Sequence, residues 1–247
     1  MGRYPFQLKL SIPSYDCDCF SNLSASSALS YAQIASTAHL SSLGITHDIL
    51  LKEGMFFALV AVAARFERAP KAGEEVLIST VPVASHGAQS LRESVMHDKD
   101  GNILIEFQAS WALVNVESGR ALRASALKED IQYLKGEWTP FIDPSKMRLP
   151  EASQKAGSHV VKLSDIDLNH HMNNAAYADV MLDCFAGEYI SSAGIDRLMI
   201  RYRRQVRIGE TIELSKGFDG QLFSIRGHID GNCCFEGAFS LKGLETR

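Results

Sequence analysis

Several common signals are missing from this chain, and each absence removes a class of function. No apolar run approaches the roughly 20 residues of a membrane-spanning helix. No secretory signal precedes the first apolar segment, and the start MGRYPF has Phe6 where a myristoylation site needs Ser or Thr. The expectation is a soluble, cytoplasmic protein. Cysteines number five, an odd count with Cys233 and Cys234 adjacent, so no disulfide framework is implied and the thiols are read as reduced. Cys17 and Cys19 form a C-x-C, but no second pair follows at zinc-like spacing, so no metal and no cofactor are expected. G-x-S-x-G, Walker A and G-x-G-x-x-G are all absent, which removes the usual serine-hydrolase, nucleotide and dinucleotide signals. Positive charge is not in excess: 25 Lys+Arg face 29 Asp+Glu for a net charge of −4, which offers no global attraction to nucleic acid or anionic membranes.

What the sequence does have is concentrated between Val160 and Asp183. Asp165, Asp167, Asn169 and His171 stand at every second position, and in an extended chain such side chains project to one side. Asn173 and Asn174, both good helix N-caps, come next. Tyr177, Val180, Met181, Cys184 and Phe185 then follow the spacing of an apolar helical stripe, with Asp179 and Asp183 opposite. A polar cluster at a helix start, where free N–H groups and the helix dipole favour negative charge, suits a reaction that develops an oxyanion. The plainer alternative is an Asx-rich turn that only caps a helix.

With 247 residues, of which 46% are hydrophobic, the chain is long enough for a sizeable core. Phe6 to Ser14 alternates like a strand, and the apolar stretch after Asn22 reads as a helix stopped by Gly44. Laid on the central stretch, this segment pairs Asp16 with Asp165, Asp18 with Asp167 and Leu23 with Met172. Further on, Arg65 to Thr80 lies on Arg201 to Lys216, and Asp100 to Ser110 on Asp230 to Ser240. Three ordered matches point to an internal duplication.

Each copy reads as strand, helix and a run of strands, an α+β unit. The later strands are expected at about Phe56 to Glu67, Glu75 to Val83, Gln89 to His97 and Ile103 to Val116 in the first copy. In the second they fall at about Leu198 to Val206, Thr211 to Gly217, Leu222 to Ile229 and Cys233 to Leu241. Asp100-Gly101 and Asp230-Gly231 are hairpin turns. The first helix, with Leu23, Ala28, Leu29, Ala32, Ile34, Ala35 and Leu40, is apolar on most sides and so expected to be buried. These readings divide the chain into residues 1–127, a linker at 128–157 holding Pro140, Pro144 and Pro150, and residues 158–247 with the polar motif. Trp138 and Phe141 are expected to pack onto a domain.

The set Asp165, Asp167, His171, Met172, Asn173, Asn174 and Tyr177 resembles the motif of hot-dog-fold thioesterases. Within them, D-x-N-x-H at Asp167, Asn169 and His171 looks like the acyl-ACP thioesterases of bacterial type, over nearly the whole chain. The resemblance implies an α+β double hot-dog, each unit a curved antiparallel sheet around a long helix. It implies hydrolysis of fatty acyl-ACP to free fatty acid, with Asp167, Asn169 and His171 catalytic and water as nucleophile. Either His171 or Asp167 takes the proton; Asn169 positions water or the carbonyl; N–H groups near Asn173 and Asn174 serve the oxyanion. Phe20 and Asn22 stand opposite Asn169 and His171 in the first copy, so one active site per chain is expected. Plant members carry Glu-Cys after Y-R-R, where this chain has Gln205-Val206 after Tyr202-Arg203-Arg204, which argues against a cysteine nucleophile there. The implied partner is the acidic acyl carrier protein, steered by Arg201, Arg203, Arg204 and Arg207, with Arg65, Arg68 and Lys71 equivalent in the first copy. The double unit leaves room for a homodimer. The other readings are an acyl-CoA thioesterase and a non-catalytic acyl-binding protein.

Overall fold

In the computed structural model the short apolar-rich runs of the sequence become the strands of one large antiparallel sheet with few helices. The structure describes residues 4–129, 131–134, 149–185 and 194–243. In chain order the strands are β1 (Phe6–Ser11), β2 (Met55–Phe66), β3 (Glu75–His86), β4 (Gln89–His97), β5 (Ile103–Asn115) and the short β6 (Ala121–Leu122). After them come β7 (Gln154–Val160), β8 (Ile195–Tyr202), β9 (Thr211–Phe218), β10 (Phe223–Ile229) and β11 (Asn232–Leu241). The helices are α1 (Ala25–Ser42), α2 (His47–Lys52) and α3 (Ala176–Asp183).

The sheet runs β1-β3-β4-β5-β2-β8-β11-β10-β9-β7, with β6 on β5. Each half repeats one order, first-third-fourth-fifth-second, and the two second strands meet antiparallel at the centre, Val62 opposite Ile200 and Ala63 opposite Met199. Ten strands therefore share one continuous hydrogen-bond ladder across the two halves. The tight turn between β10 and β11 needs left-handed backbone at two successive residues, supplied by Asp230 (φ 50°) and Gly231 (φ 75°).

Helix α1 starts where the Ser24 side chain accepts from the Ser27 N–H at 3.2 Å, and it stops where Gly44 (φ 82°) lets the Ile45 N–H return to the Leu40 carbonyl. It buries Ala28, Leu29, Ala32 and Ala35 against the sheet, small side chains that let it lie close. Burial is not all round: Ile34, placed among the buried residues from sequence, is 46% exposed and faces outward. Helix α3 docks through Met181, which packs over Gly237 of β11; a Cβ there would sit 2.5 Å from its sulfur. Tyr177 packs edge-on to Phe235 and Tyr202, with centroids 4.9 and 5.3 Å apart. No helix among the described residues is long and apolar enough to cross a membrane.

Two expectations are corrected. Strand β8 begins at Ile195 and stops at Tyr202, short of Val206, because the N–H groups of Arg203 and Arg204 both turn to the Cys234 carbonyl and the chain leaves the ladder. Residues 154–157, assigned to the linker, belong to β7, where a bulge beside Gly157 (φ 112°) breaks the alternation that would have revealed a strand. Trp138 and Phe141 lie outside the described residues. Leu127 and Ile131 pack with Ile45, Leu50, Met55 and Leu113, so the start of the linker lies against the first half.

Candidate active site

The polar motif is a tight turn, not an extended segment. Ile166 and Met172 bridge antiparallel, and between them the Asp167 N–H donates to the His171 carbonyl at 2.9 Å while the His170 N–H returns to the Asp167 carbonyl at 3.1 Å. His170 takes a left-handed φ of 62° to close the turn. Asp165 therefore does not share a face with the others. It ends a short 3-10 turn at Leu163–Asp165, and its carboxylate accepts from the Lys162 N–H and contacts His159 Nε2 at 2.9 Å. Its role is to hold the turn.

Asp167, Asn169 and His171 remain together on that turn. Asp167 accepts from the Asn169 N–H at 2.8 Å, and the Asn169 Nδ2 lies 3.4 Å from the other carboxylate oxygen. The Asn169 Oδ1 lies 2.9 Å from Nε2 of His47, the first residue of α2. An amide oxygen only accepts, so His47 donates and the amide is pinned from both sides. His47 comes from the first half, far away in sequence, and its half-buried position beside Asp48 carries no pattern that would have marked it.

His171 is half-buried, and burial lowers its pKa from the usual value; the Asp167 charge opposes this, while Arg207 and His170 add to it. The ring is therefore neutral at pH 7 and able to accept a proton. Burial pushes the Cys234 thiol up to about 11 and raises Cys17, Cys184 and Cys233, the opposite of nucleophile activation. All five cysteines are free.

The helix start differs from expectation too. Asn173 does not cap by reaching N2 or N3 of α3; its Oδ1 accepts from the Ala175 N–H at 2.9 Å, and the cap residue itself is Ala175. The Asn173 N–H is already given to the Asp165 carbonyl at 2.7 Å, which leaves it no role toward an oxyanion. The Asn174 N–H has no acceptor among the described residues, and its carbonyl accepts from the Tyr202 hydroxyl at 2.8 Å. Asn174 is thus the better-placed donor. A groove of about 470 Å³ runs beside Asn173 along the outer face of α1, past Gln33, Ile34 and Thr37. Among the described residues no cluster of three or more His, Cys, Asp or Glu could hold a metal ion.

The first half contains the same turn with different side chains. Cys17 and Leu23 bridge, the Asp18 N–H donates to the Asn22 carbonyl at 2.8 Å, and Ser21 takes a φ of 63°. Glu74 accepts from the Lys71 N–H and pairs with Arg68, as Glu210 accepts from the Arg207 N–H and pairs with Arg204. Phe20 and Asn22 occupy the places of Asn169 and His171.

The basic run is mostly neutralised. Arg201 and Arg203 both pair with Glu236, Arg204 pairs with Glu210, and Arg65 pairs with Glu106. Arg207 is exposed, close enough to His171 to lower its pKa, and has no carboxylate within ion-pair distance among the described residues. Gln205 is exposed in the segment that follows β8.

The acyl-ACP thioesterase N-terminal domain family matches residues 3–132, and the acyl-ACP thioesterase C-terminal domain family matches residues 149–232. An acyl-[acyl-carrier-protein] hydrolase of Cuphea viscosissima is 22% identical over 214 residues, 81% of this chain and 52% of that protein. The chain thus spans about half the length of the curated relatives it matches. Among solved structures, an acyl-ACP thioesterase from Bacteroides thetaiotaomicron VPI-5482 superposes with a TM-score of 0.87 at 19% identity, over 96% of this chain and 97% of that one. The 12:0-ACP thioesterase from Umbellularia californica does so with 0.78 at 18% identity, over 98% of each. At such identities the structures speak for a shared fold, while the two domain matches, in order along the chain, show that it belongs to the acyl-ACP thioesterase family.

Proposed function

We propose that this chain hydrolyses the thioester of a fatty acyl group carried on acyl carrier protein, releasing free fatty acid. The observation that carries this reading is the pinned Asp167–Asn169 pair with a neutral His171 on the same turn, at the start of α3. Water attacks the thioester carbonyl as His171 takes its proton. Asp167 holds Asn169 and favours the imidazolium, and Asn169 orients the water or carbonyl. The oxyanion is met by the Asn174 N–H. Collapse breaks the C–S bond, and the leaving thiolate takes from His171 the proton that came from water, so acid and thiol leave and the enzyme returns to its starting state.

The finer fold reading is two tandem hot-dog units, residues 1–127 and 158–247, joined by 128–157, with one active site in the second. The repeated strand order and the twin turns at Asp18 and Asp167 support it. The cytoplasm is the compartment we assign, in keeping with five free thiols. The acidic carrier approaches over Arg207, which has no carboxylate within ion-pair distance among the described residues and acts on the His171 pKa.

A thiol-release assay with acyl-ACP and the matching acyl-CoA tests the reading. Acyl-ACP should be hydrolysed with the higher kcat/KM, and Arg207→Glu should raise its KM several-fold at low salt while changing the KM of a short uncharged thioester little, its effect on His171 appearing with both substrates as a pH profile displaced upward. Preference for acyl-CoA would transfer the reaction to that carrier, and no release from either would leave an acyl-binding protein.

A further inference from the structure

Among the described residues, three of the four most exposed large apolar side chains stand around the catalytic turn: Leu163 at 76%, Leu168 at 71% and Ile208 at 57%. A lone exposed leucine needs no account, but a group of them beside a reactive turn marks a surface that something covers. Backbone hydrogen bonds hold the three in one neighbourhood. The Gly209 N–H donates to the Val161 carbonyl at 2.8 Å and the Val161 N–H to the Glu210 carbonyl at 2.9 Å, which ties Ile208 to the segment that leads into Leu163. The Met172 N–H donates to the Val206 carbonyl at 2.8 Å, which ties the same residues to the end of the turn that carries Leu168. Lys162 and Arg207, both exposed, are the chain neighbours of Leu163 and Ile208. An apolar surface with a basic border thus lies against Asp167, Asn169 and His171.

The first half supplies a control. There the Gly73 N–H donates to the Ile12 carbonyl at 2.7 Å, the Ile12 N–H to the Glu74 carbonyl at 2.9 Å and the Leu23 N–H to the Pro70 carbonyl at 2.7 Å, the same three bonds. On that shared backbone the places of Leu163, Leu168 and Ile208 are taken by Ser14, Cys19 and Ala72. The turn therefore folds without large aliphatic side chains at these places, and they occur only in the copy that has Asp167, Asn169 and His171. The exposed aromatics of the first turn, Tyr15 and Phe20, stand elsewhere, at the places of Ser164 and Asn169.

We propose that Leu163, Leu168 and Ile208 form the contact on which the acyl carrier protein docks, an apolar centre that holds the carrier while Lys162 and Arg207 at its border steer the acidic partner in. The inference rests on the thioesterase reading and adds the surface that its carrier touches. Charge alone is a thin basis for docking here, because Arg201 and Arg203 already pair with Glu236 and Arg204 with Glu210. Interfaces commonly place apolar side chains at the centre, where most of the affinity arises, and charges at the rim, where they set the association rate. The carrier is tethered to the thioester being cleaved, so it must touch whatever borders the turn. A membrane seated on the same surface would cover the turn that the carrier has to reach.

The test exchanges the three side chains for those of the first half. One variant combines Leu163→Ser, Leu168→Cys and Ile208→Ala, and a second combines only Leu163→Ser and Ile208→Ala, which leaves the residues from Asp167 to His171 as they are. Binding of holo-acyl carrier protein, read by calorimetric titration, should weaken by roughly 10-fold or more in the triple variant and several-fold in the double, and the KM for acyl-ACP should rise in parallel with kcat little changed. Hydrolysis of a short uncharged thioester should hardly change. Salt separates the two parts of the surface: the Arg207→Glu defect fades as charges are screened, whereas the apolar defect persists. Unchanged carrier binding in the folded triple variant overturns the proposal, and so does an equal loss on the short thioester, which would place these side chains in the chemistry. Binding of the wild type to phosphatidylglycerol vesicles that the triple variant loses, with carrier binding intact, overturns it in favour of a membrane. Holo-acyl carrier protein has no acyl group, so its titration reads docking without turnover; a protein that binds it through these residues and hydrolyses nothing would refute the reaction and keep the surface.

Discussion

Acidification should destabilise this protein through His39 before its carboxylates are protonated. The ring is buried on the inner face of α1, with Phe6 stacked on it at 5.5 Å and the Arg92 Nη1 at 3.1 Å from Nδ1. Burial first, and the Arg92 charge second, push its pKa from 6.5 down to about 4. Between those values the unfolded chain binds a proton that the folded chain refuses, so stability is intact above pH 6.5 and falls as pH drops toward 4. The folding equilibrium shifts by roughly tenfold per pH unit within that window, a loss of about 2–3 kcal/mol by the low-pH end. His39→Gln keeps an acceptor for Arg92 and cannot titrate. Urea unfolding of both proteins at pH 7.5, 6.0, 5.0 and 4.5 isolates the contribution, because carboxylates such as Glu74 and Glu236 act equally in each. The wild type should lose about 2–3 kcal/mol more than the variant by pH 4.5. Parallel curves would refute the buried neutral imidazole.

Three further outcomes follow from the site and its supports. His171→Ala should lower kcat by roughly 10²- to 10⁴-fold with the fold intact; in the wild type, activity should rise with pH through a value below 6.5, because burial favours the neutral base, and a flat profile from pH 5 to 8 would assign the water to Asp167. His47→Ala should reduce kcat by roughly 10-fold with little change in KM, and His47→Gln, which keeps a donor toward Asn169, should recover much of it; equal losses in both variants would mean that the contact does not orient the amide. Gly237→Ala forces a methyl to 2.5 Å from the Met181 sulfur and should cost about 1–3 kcal/mol by thermal denaturation, since a packed core resists added volume; an unchanged melting temperature would mean that α3 does not lie where described.

Residues close in sequence determined much of this protein by themselves. Short runs rich in apolar residues, bounded by turns such as Asp100-Gly101 and Asp230-Gly231, located β2 to β5 and β9 to β11 within a few residues, although β2 and β4 bury consecutive side chains and keep no strict period of two. Internal repetition was legible since Asp18 and Asp167 each fold the same few residues into the same turn, a local hydrogen-bond pattern that short sequence matches preserve. The spacing of Asp167, Asn169 and His171 brought the candidate catalytic groups together for the same local reason, although the geometry is a turn closed by His170 in left-handed backbone and not a strand.

Only the tertiary structure decided what comes from elsewhere in the chain. His47 reaches Asn169 from 122 residues away, and a single histidine carries no periodicity to announce it. The pairing of β2 with β8, which joins the halves, is fixed by side chains that meet only once both halves have formed. Charge is the plainest case: the run Arg201 to Arg207 reads as a basic patch, yet Glu236, on the neighbouring strand, absorbs Arg201 and Arg203 and leaves Arg207 exposed. Composition counts charges one at a time, whereas a field is the sum over whatever the fold brings within a few ångströms.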